Sequence, residues 1–159
     1  MDNSERWKIR EHDRVIILVE GTHDRDFVEQ LLDVHGISRV HTNVMPKGGK
    51  TELKRNLQVL VKDPRFSGIQ RLLVLRDADR TPYPDGIDTG TPDKSASVSA
   101  AQRSFTAVRA HILNAGLAAP ERHGELTSGD PRVVVSVSCI GRGTPGSALG
   151  AGTMTGKSN

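Results

Sequence analysis

Val15-Ile16-Ile17-Leu18-Val19 is an unbroken aliphatic run, the pattern of a strand buried on both faces, and Glu20-Gly21 stops it. From Asp24 onward Phe27, Val28, Leu31 and Leu32 fall at i, i+1, i+4 and i+5. That spacing predicts a helix with one buried face, Thr22 or Asp24 as its N-cap and Gly36 as its stop. Val40, Thr42 and Val44 alternate with His41, Asn43 and Met45, a weaker strand that gives way to Pro46-Lys47-Gly48-Gly49-Lys50. Thr51 then caps a second helix, in which Leu53, Leu57, Leu60 and Val61 keep a period of about 3.6. Asp63-Pro64 closes it, because the residue before proline is pushed out of the helical region.

Arg71 to Arg76 reads as a third buried strand, followed at once by Asp77-Ala78-Asp79. Between Arg80 and Ser95, Pro82, Pro84, Gly86, Gly90 and Pro92 interrupt any periodicity, which predicts a long surface loop. Val98, Ala101, Phe105, Val108 and Ile112 recur at helical spacing up to Gly116, and Val133 to Val137 supplies a fourth strand. Beyond Cys139 the chain is rich in Gly, Ser and Thr and predicts a flexible tail.

The order βαβαβ, loop, αβ calls for an α/β fold: a parallel four-stranded sheet with right-handed crossovers, sandwiched between helices. The domain runs over residues 13–140, with an N-terminal tail 1–12, a flexible loop 80–96 and a C-terminal tail 141–159. In such sheets ligands bind outside the carboxyl ends of the strands. Glu20, the Gly48-Gly49-Lys50 turn and the Asp77/Asp79 pair all fall at that edge.

Composition narrows the class. At 159 residues, 35% hydrophobic and 26% charged, the chain is long enough for one domain and is neither a disordered nor a membrane-spanning composition. The first fourteen residues lack an apolar stretch to serve as a signal or transit sequence, so the cytoplasm is the expected compartment. One cysteine, Cys139, excludes an internal disulfide. A formal charge of +3 permits a phosphate-rich partner without requiring one, and only five aromatic residues argue against a platform for stacking single-stranded bases.

Asp77 and Asp79, one residue apart, project to the same side if the backbone stays extended. With Glu20 alongside, three carboxylates meet, and at about 5 Å with an effective dielectric near 20 each like-charge pair costs roughly 3 kcal/mol. Proton uptake or a divalent cation relieves that repulsion, and hard Mg²⁺ or Mn²⁺ takes a few carboxylates with water and a substrate phosphate. The plainer alternative stays open: Asp-x-Asp after a strand is commonly a turn or helix cap. Other motifs fall away. Gly141 to Gly146 fits G-x-G-x-x-G but has Pro145 where a helix would begin, and Gly49-Lys50-Thr51 lacks the first glycine of a Walker A loop, Val44 standing there. The six histidines have no metal-ligand spacing.

Val19-Glu20-Gly21-Thr22-His23-Asp24 and Leu75-Arg76-Asp77-Ala78-Asp79 together resemble the two signatures of the Toprim domain. The chain is most similar to a small stand-alone bacterial Toprim-like family of uncharacterised function. It shares with that family the Gly48-Gly49-Lys50 turn, Asp63-Pro64-Arg65-Phe66 and Asn114-Ala115-Gly116-Leu117. The resemblance implies a Toprim-like, Rossmann-like fold and Mg²⁺-dependent phosphotransfer, most readily a nuclease acting on DNA or RNA. Glu20 would be the general acid or base or a metal ligand, and Asp77 and Asp79 would hold Mg²⁺. Asp24 would support these ligands or bind a second metal, helix capping being the alternative. Lys50 would join Glu20 in catalysis, and Lys50 and Arg76 would meet a substrate phosphate; as exposed loop and strand-end charges they would be ordinary. A catalytically silent module binding nucleic acid or a partner protein is the competing expectation. Relatives carry an acidic helix after the fourth strand, whereas no Asp or Glu follows Asp130 here, which points to truncation or a shifted frame near Cys139.

Overall fold

Because the crossovers of a parallel sheet are right-handed, the direction in which each strand is added decides which face its connecting helix covers. A computed structural model describes residues 8–46, 52–77 and 94–138, excluding the side chains of 94–99 and 138. The elements are β1 (Val15–Val19), α1 (Thr22–Val34), β2 (Thr42–Pro46), α2 (Glu52–Leu60), a 3-10 turn (Pro64–Gly68), β3 (Arg71–Asp77), α3 (Lys94–Asn114) and β4 (Arg132–Ser138). The strands form one sheet in the order β2-β1-β3-β4, parallel throughout. The fold is thus the expected Rossmann-like α/β sheet flanked by helices.

From β1 to β2 the chain steps one way across the sheet; from β2 to β3 and from β3 to β4 it steps the other. Helix α1 therefore stands on one face, and α2 and α3 share the opposite face. The core divides accordingly. The larger cluster holds Ile16, Leu18, Leu72, Val74, Val133 and Val135 of the sheet against Leu53, Leu57 and Leu60 of α2 and Phe105, Val108 and Ile112 of α3. The smaller holds Ile17, Val19 and Val44 against Val28 and Leu32 of α1.

Several boundaries differ from the pattern reading. Helix α1 buries Val28 and Leu32 but leaves Phe27 and Leu31 exposed, so its apolar face is only half used by its own sheet. Its N-cap is Gly21, not Thr22 or Asp24. Val40 is exposed ahead of β2, which begins at Thr42. A 3-10 turn after α2, capped by the Asp63 carboxylate accepting from Arg65 N at 2.9 Å, has no counterpart in the periodicity. Helix α3 begins at Lys94, inside the span read as loop. Thr51, most of that loop and residues 139–159 lie outside the described residues.

The core also reaches back into the segment read as a tail. Ile9 is buried in the larger cluster. Asp13, also buried, accepts from Arg10 N (2.7 Å), Arg10 Nε (2.9 Å) and Asn43 Nδ2 (2.7 Å), tying that segment to β2. Helices α1 and α3 end at Gly36 and Gly116, whose positive φ of 65° and 80° lets Ile37 N and Leu117 N turn back to Leu32 O and Ile112 O.

No helix among the described residues is long and apolar enough to cross a membrane. Truncating the fully buried Leu57 to Ala lowers stability by about 2 to 5 kcal/mol, whereas Val59→Ala, two residues away on the exposed side of α2, changes it by less than about 0.5 kcal/mol. Urea denaturation of the two variants beside the parent measures both.

Candidate functional site

A sheet whose chain reverses direction leaves a crevice at the carboxyl ends of the two strands where the reversal occurs. Here those strands are β1 and β3. Their register pairs Leu18 with Val74, so Glu20, just past β1, stands level with Arg76, and Asp77 follows it. The Glu20 Oε2 atom accepts a hydrogen bond from Asp77 N at 3.3 Å. Two residues 57 positions apart in the chain are thereby in contact.

The crevice is a cleft of about 190 Å³ lined by Val19, Glu20, Asp24, Phe27, Val28, Leu75, Arg76, Asp77 and Ser136. Drug-sized ligands need about 300 Å³ or more, so this space suits an ion with its waters or a single phosphoryl group. Val19, Phe27, Val28 and Leu75 make its lining largely apolar, and Glu20, Asp24 and Asp77 add three carboxylate residues. Four of the six residues singled out from the sequence, Glu20, Asp24, Arg76 and Asp77, share it. The other two, Lys50 and Asp79, lie outside the described residues.

Each of the four is held differently. Arg76 is buried, only 7% exposed, so its reading as an ordinary surface charge does not hold. Asp77 is exposed at the end of β3, and Glu20 is half-buried. Asp24 Oδ2 accepts from Gly21 N at 2.8 Å, satisfying an amide that α1 leaves unbonded at its start. Gly21 has no side chain to return the bond, so only half of a capping box exists. The Asp24 charge also sits favourably at the positive end of the helix.

Carboxylate oxygens are the donors that Mg²⁺ and Mn²⁺ prefer, and one or two of them with water and a phosphate complete an octahedral shell. Glu20 and Asp77 fit that donor set. Among the described residues no group of three or more His, Cys, Asp or Glu side chains is gathered to hold a metal ion, Asp24 being engaged with Gly21.

The sequence reading did not single out Phe27, Leu75 or Ser136 as lining residues. Phe27 and Leu75 looked like core positions, but among the described residues Phe27 is exposed and Leu75 half-buried, and both line the cleft.

A family model matches residues 14–134, which include all of β1, β2 and β3, the start of β4 and the four lining residues just discussed. The chain belongs to the DUF3226 family, described as a protein of unknown function. No curated protein and no solved structure matches it. In this DUF3226 member the role of Asp24 is checked by substitution. Asp24→Ala loses the bond to Gly21 N and lowers stability by about 1 kcal/mol, while Asp24→Asn, which keeps an acceptor oxygen, loses less than half of that. Chemical denaturation of both variants distinguishes them.

Proposed function

We propose that the β1–β3 cleft is the Mg²⁺ or Mn²⁺ site of a Toprim-type phosphotransfer domain, a cytoplasmic nuclease acting on phosphodiester bonds of DNA or RNA. The observation that carries this reading is the meeting of Glu20 and Asp77 at the sheet's reversal point, with Glu20 Oε2 3.3 Å from Asp77 N. Asp77, with Asp79 two residues on, would hold the cation. A bound divalent ion would polarise a phosphate and make an attacking water more acidic. Glu20 would move that water's proton as general base, and Arg76 and Lys50 would neutralise charge on the phosphate. The apolar floor formed by Val19, Val28 and Leu75 would exclude bulk water beneath the reacting group.

A second reading has its own support. Asp24 is already engaged in capping α1, and the cleft wall is chiefly aliphatic and aromatic. Both suit a catalytically silent module that uses the same edge to bind a nucleic acid or a partner protein.

The test compares the parent with Asp77→Asn and Glu20→Gln on single- and double-stranded DNA and RNA with Mg²⁺ or Mn²⁺. Cleavage by the parent that falls at least about 100-fold in each variant supports the nuclease. In metal-free buffer the melting temperature of each protein is measured first as its own baseline. Adding Mg²⁺ raises the parent's melting temperature and not theirs. Stabilisation by Mg²⁺ without cleavage of any nucleic acid favours the silent module, and equal behaviour of all three proteins rejects the site.

A further inference from the structure

The chain enters β3 and β4 at the amino edge of the sheet, the end away from the β1–β3 cleft. It reaches β3 from α2 through the 3-10 turn and β4 from α3 through the segment that ends at Pro131. Between these two connections, on the α2–α3 side, lies a hollow of about 470 Å³, larger than the cleft and within the range of pockets that hold small organic molecules. Its walls are set by the core. Phe66, Ile69 and Pro131 line it and are buried, and Leu117 beside them is half-buried against the larger cluster. Ser67, also at the wall, gives its hydroxyl hydrogen to Pro64 O at 2.9 Å, which leaves its oxygen an acceptor.

The electrostatics of this lining have one sign. Asp130 is the sole ionisable residue among those lining the hollow, and among the described residues no hydrogen bond or ion pair holds its carboxylate. Ala115, Gly116 and Leu117 close α3 at the same wall: their N–H groups return to carbonyls of His111, Ile112 and Leu113, so the negative pole of a 21-residue helix ends here. The last turn of that helix carries His111 and no Lys or Arg. Basic residues near the hollow are directed elsewhere. Arg65 Nη1 donates to Ile9 O at 3.1 Å, Arg14 Nη1 to Asp13 O at 2.9 Å and Arg109 Nε to Pro120 O at 3.2 Å. Arg71 and its register partner Arg132 stand on the opposite side of the sheet with Leu73, and Lys62 is not among the lining residues.

We propose that this hollow binds a small organic cation, an ammonium group carried on an apolar body. The body packs on Phe66, Ile69, Leu117 and Pro131, and the ammonium lies toward Asp130 and the end of α3. An ammonium has donors and no acceptor, which matches a carboxylate, helix-end carbonyls and the Ser67 oxygen, all of which accept. An anion of the same shape meets these groups as repulsion, and a neutral ligand gains nothing from the charge. The site lies at the opposite edge of the sheet from Glu20 and Asp77, so the inference does not depend on the metal reading.

The test titrates the isotope-labelled full chain with tryptamine, tryptophol and indoleacetate, which share an indole ring and differ in charge, and follows the backbone amides by NMR. Tryptamine is expected to bind with a Kd on the order of 1 mM or tighter and to shift the amides of Ser67, Gly116 and Asp130. Tryptophol binds at least about threefold more weakly, and indoleacetate at least about tenfold. Asp130→Asn removes at least about half of the preference for tryptamine over tryptophol, expressed as log Kd. Ser67→Phe, which fills the hollow from an exposed position, weakens tryptamine at least about fivefold and decides the matter if Asp130→Asn does not fold. No shift at these amides up to about 10 mM overturns the proposal, as does indoleacetate binding as tightly as tryptamine. So do shifts confined to the amides of Glu20 and Asp77, a cation preference untouched by Asp130→Asn, or tryptamine binding undiminished by Ser67→Phe.

Discussion

The handedness of parallel crossovers governs nearly everything distinctive in this molecule. Each right-twisted strand returns through a helix that packs only on one side for a given direction of travel. One step leftward and two steps rightward across the sheet therefore place, among the described residues, a single helix on one face and two on the other. The double-helix face closes over a continuous aliphatic core from Ile9 to Ile112. The single-helix face cannot close with α1 alone, since one helix about 10 Å wide covers two strands at their spacing of about 4.8 Å, and four are present.

The same reversal that divides the helices opens the crevice between β1 and β3. Glu20 and Asp77 meet there because register, not sequence distance, sets their separation. Their neighbours show how a functional edge and a structural one compete for the same side chains. Asp24 has a carboxylate at the rim, yet one of its oxygens completes the start of α1. Arg76 shares its side of β3 with Leu72 and Val74, the α2 and α3 side, and is buried, whereas Asp77 beside it is exposed. The cleft, about 190 Å³, joins acidic side chains to an apolar lining.

Among the described residues, two kinds of surface lie side by side on the α1 side. Residues such as Leu75 and Phe27 belong to the wall of the cleft and to the margin of a larger apolar face.

The strands, the helices and their alternation were legible in the chain because a parallel strand buried on both faces writes a continuous aliphatic run and an amphipathic helix writes a 3.6-residue period. Glu20, Arg76 and Asp77 were legible as an edge set for a related reason, since they directly follow or end a strand, and Asp24 stands in the first turn of the helix that comes next. Residues 8–13, the 3-10 turn and the true cap at Gly21 were not, since one buried Ile9 or one backbone bond leaves no periodic trace. Nor could the pattern of α1 distinguish Val28, which packs on the sheet, from Phe27, which does not. The chain by itself determined which segments are strand and helix and which acids end them, because those are local consequences of side-chain type and order. Tertiary structure alone decided that β1 and β3 are neighbours, that Arg76 is buried and that α1 shares its face with no other described helix, because adjacency, burial and cover depend on how non-local segments share space.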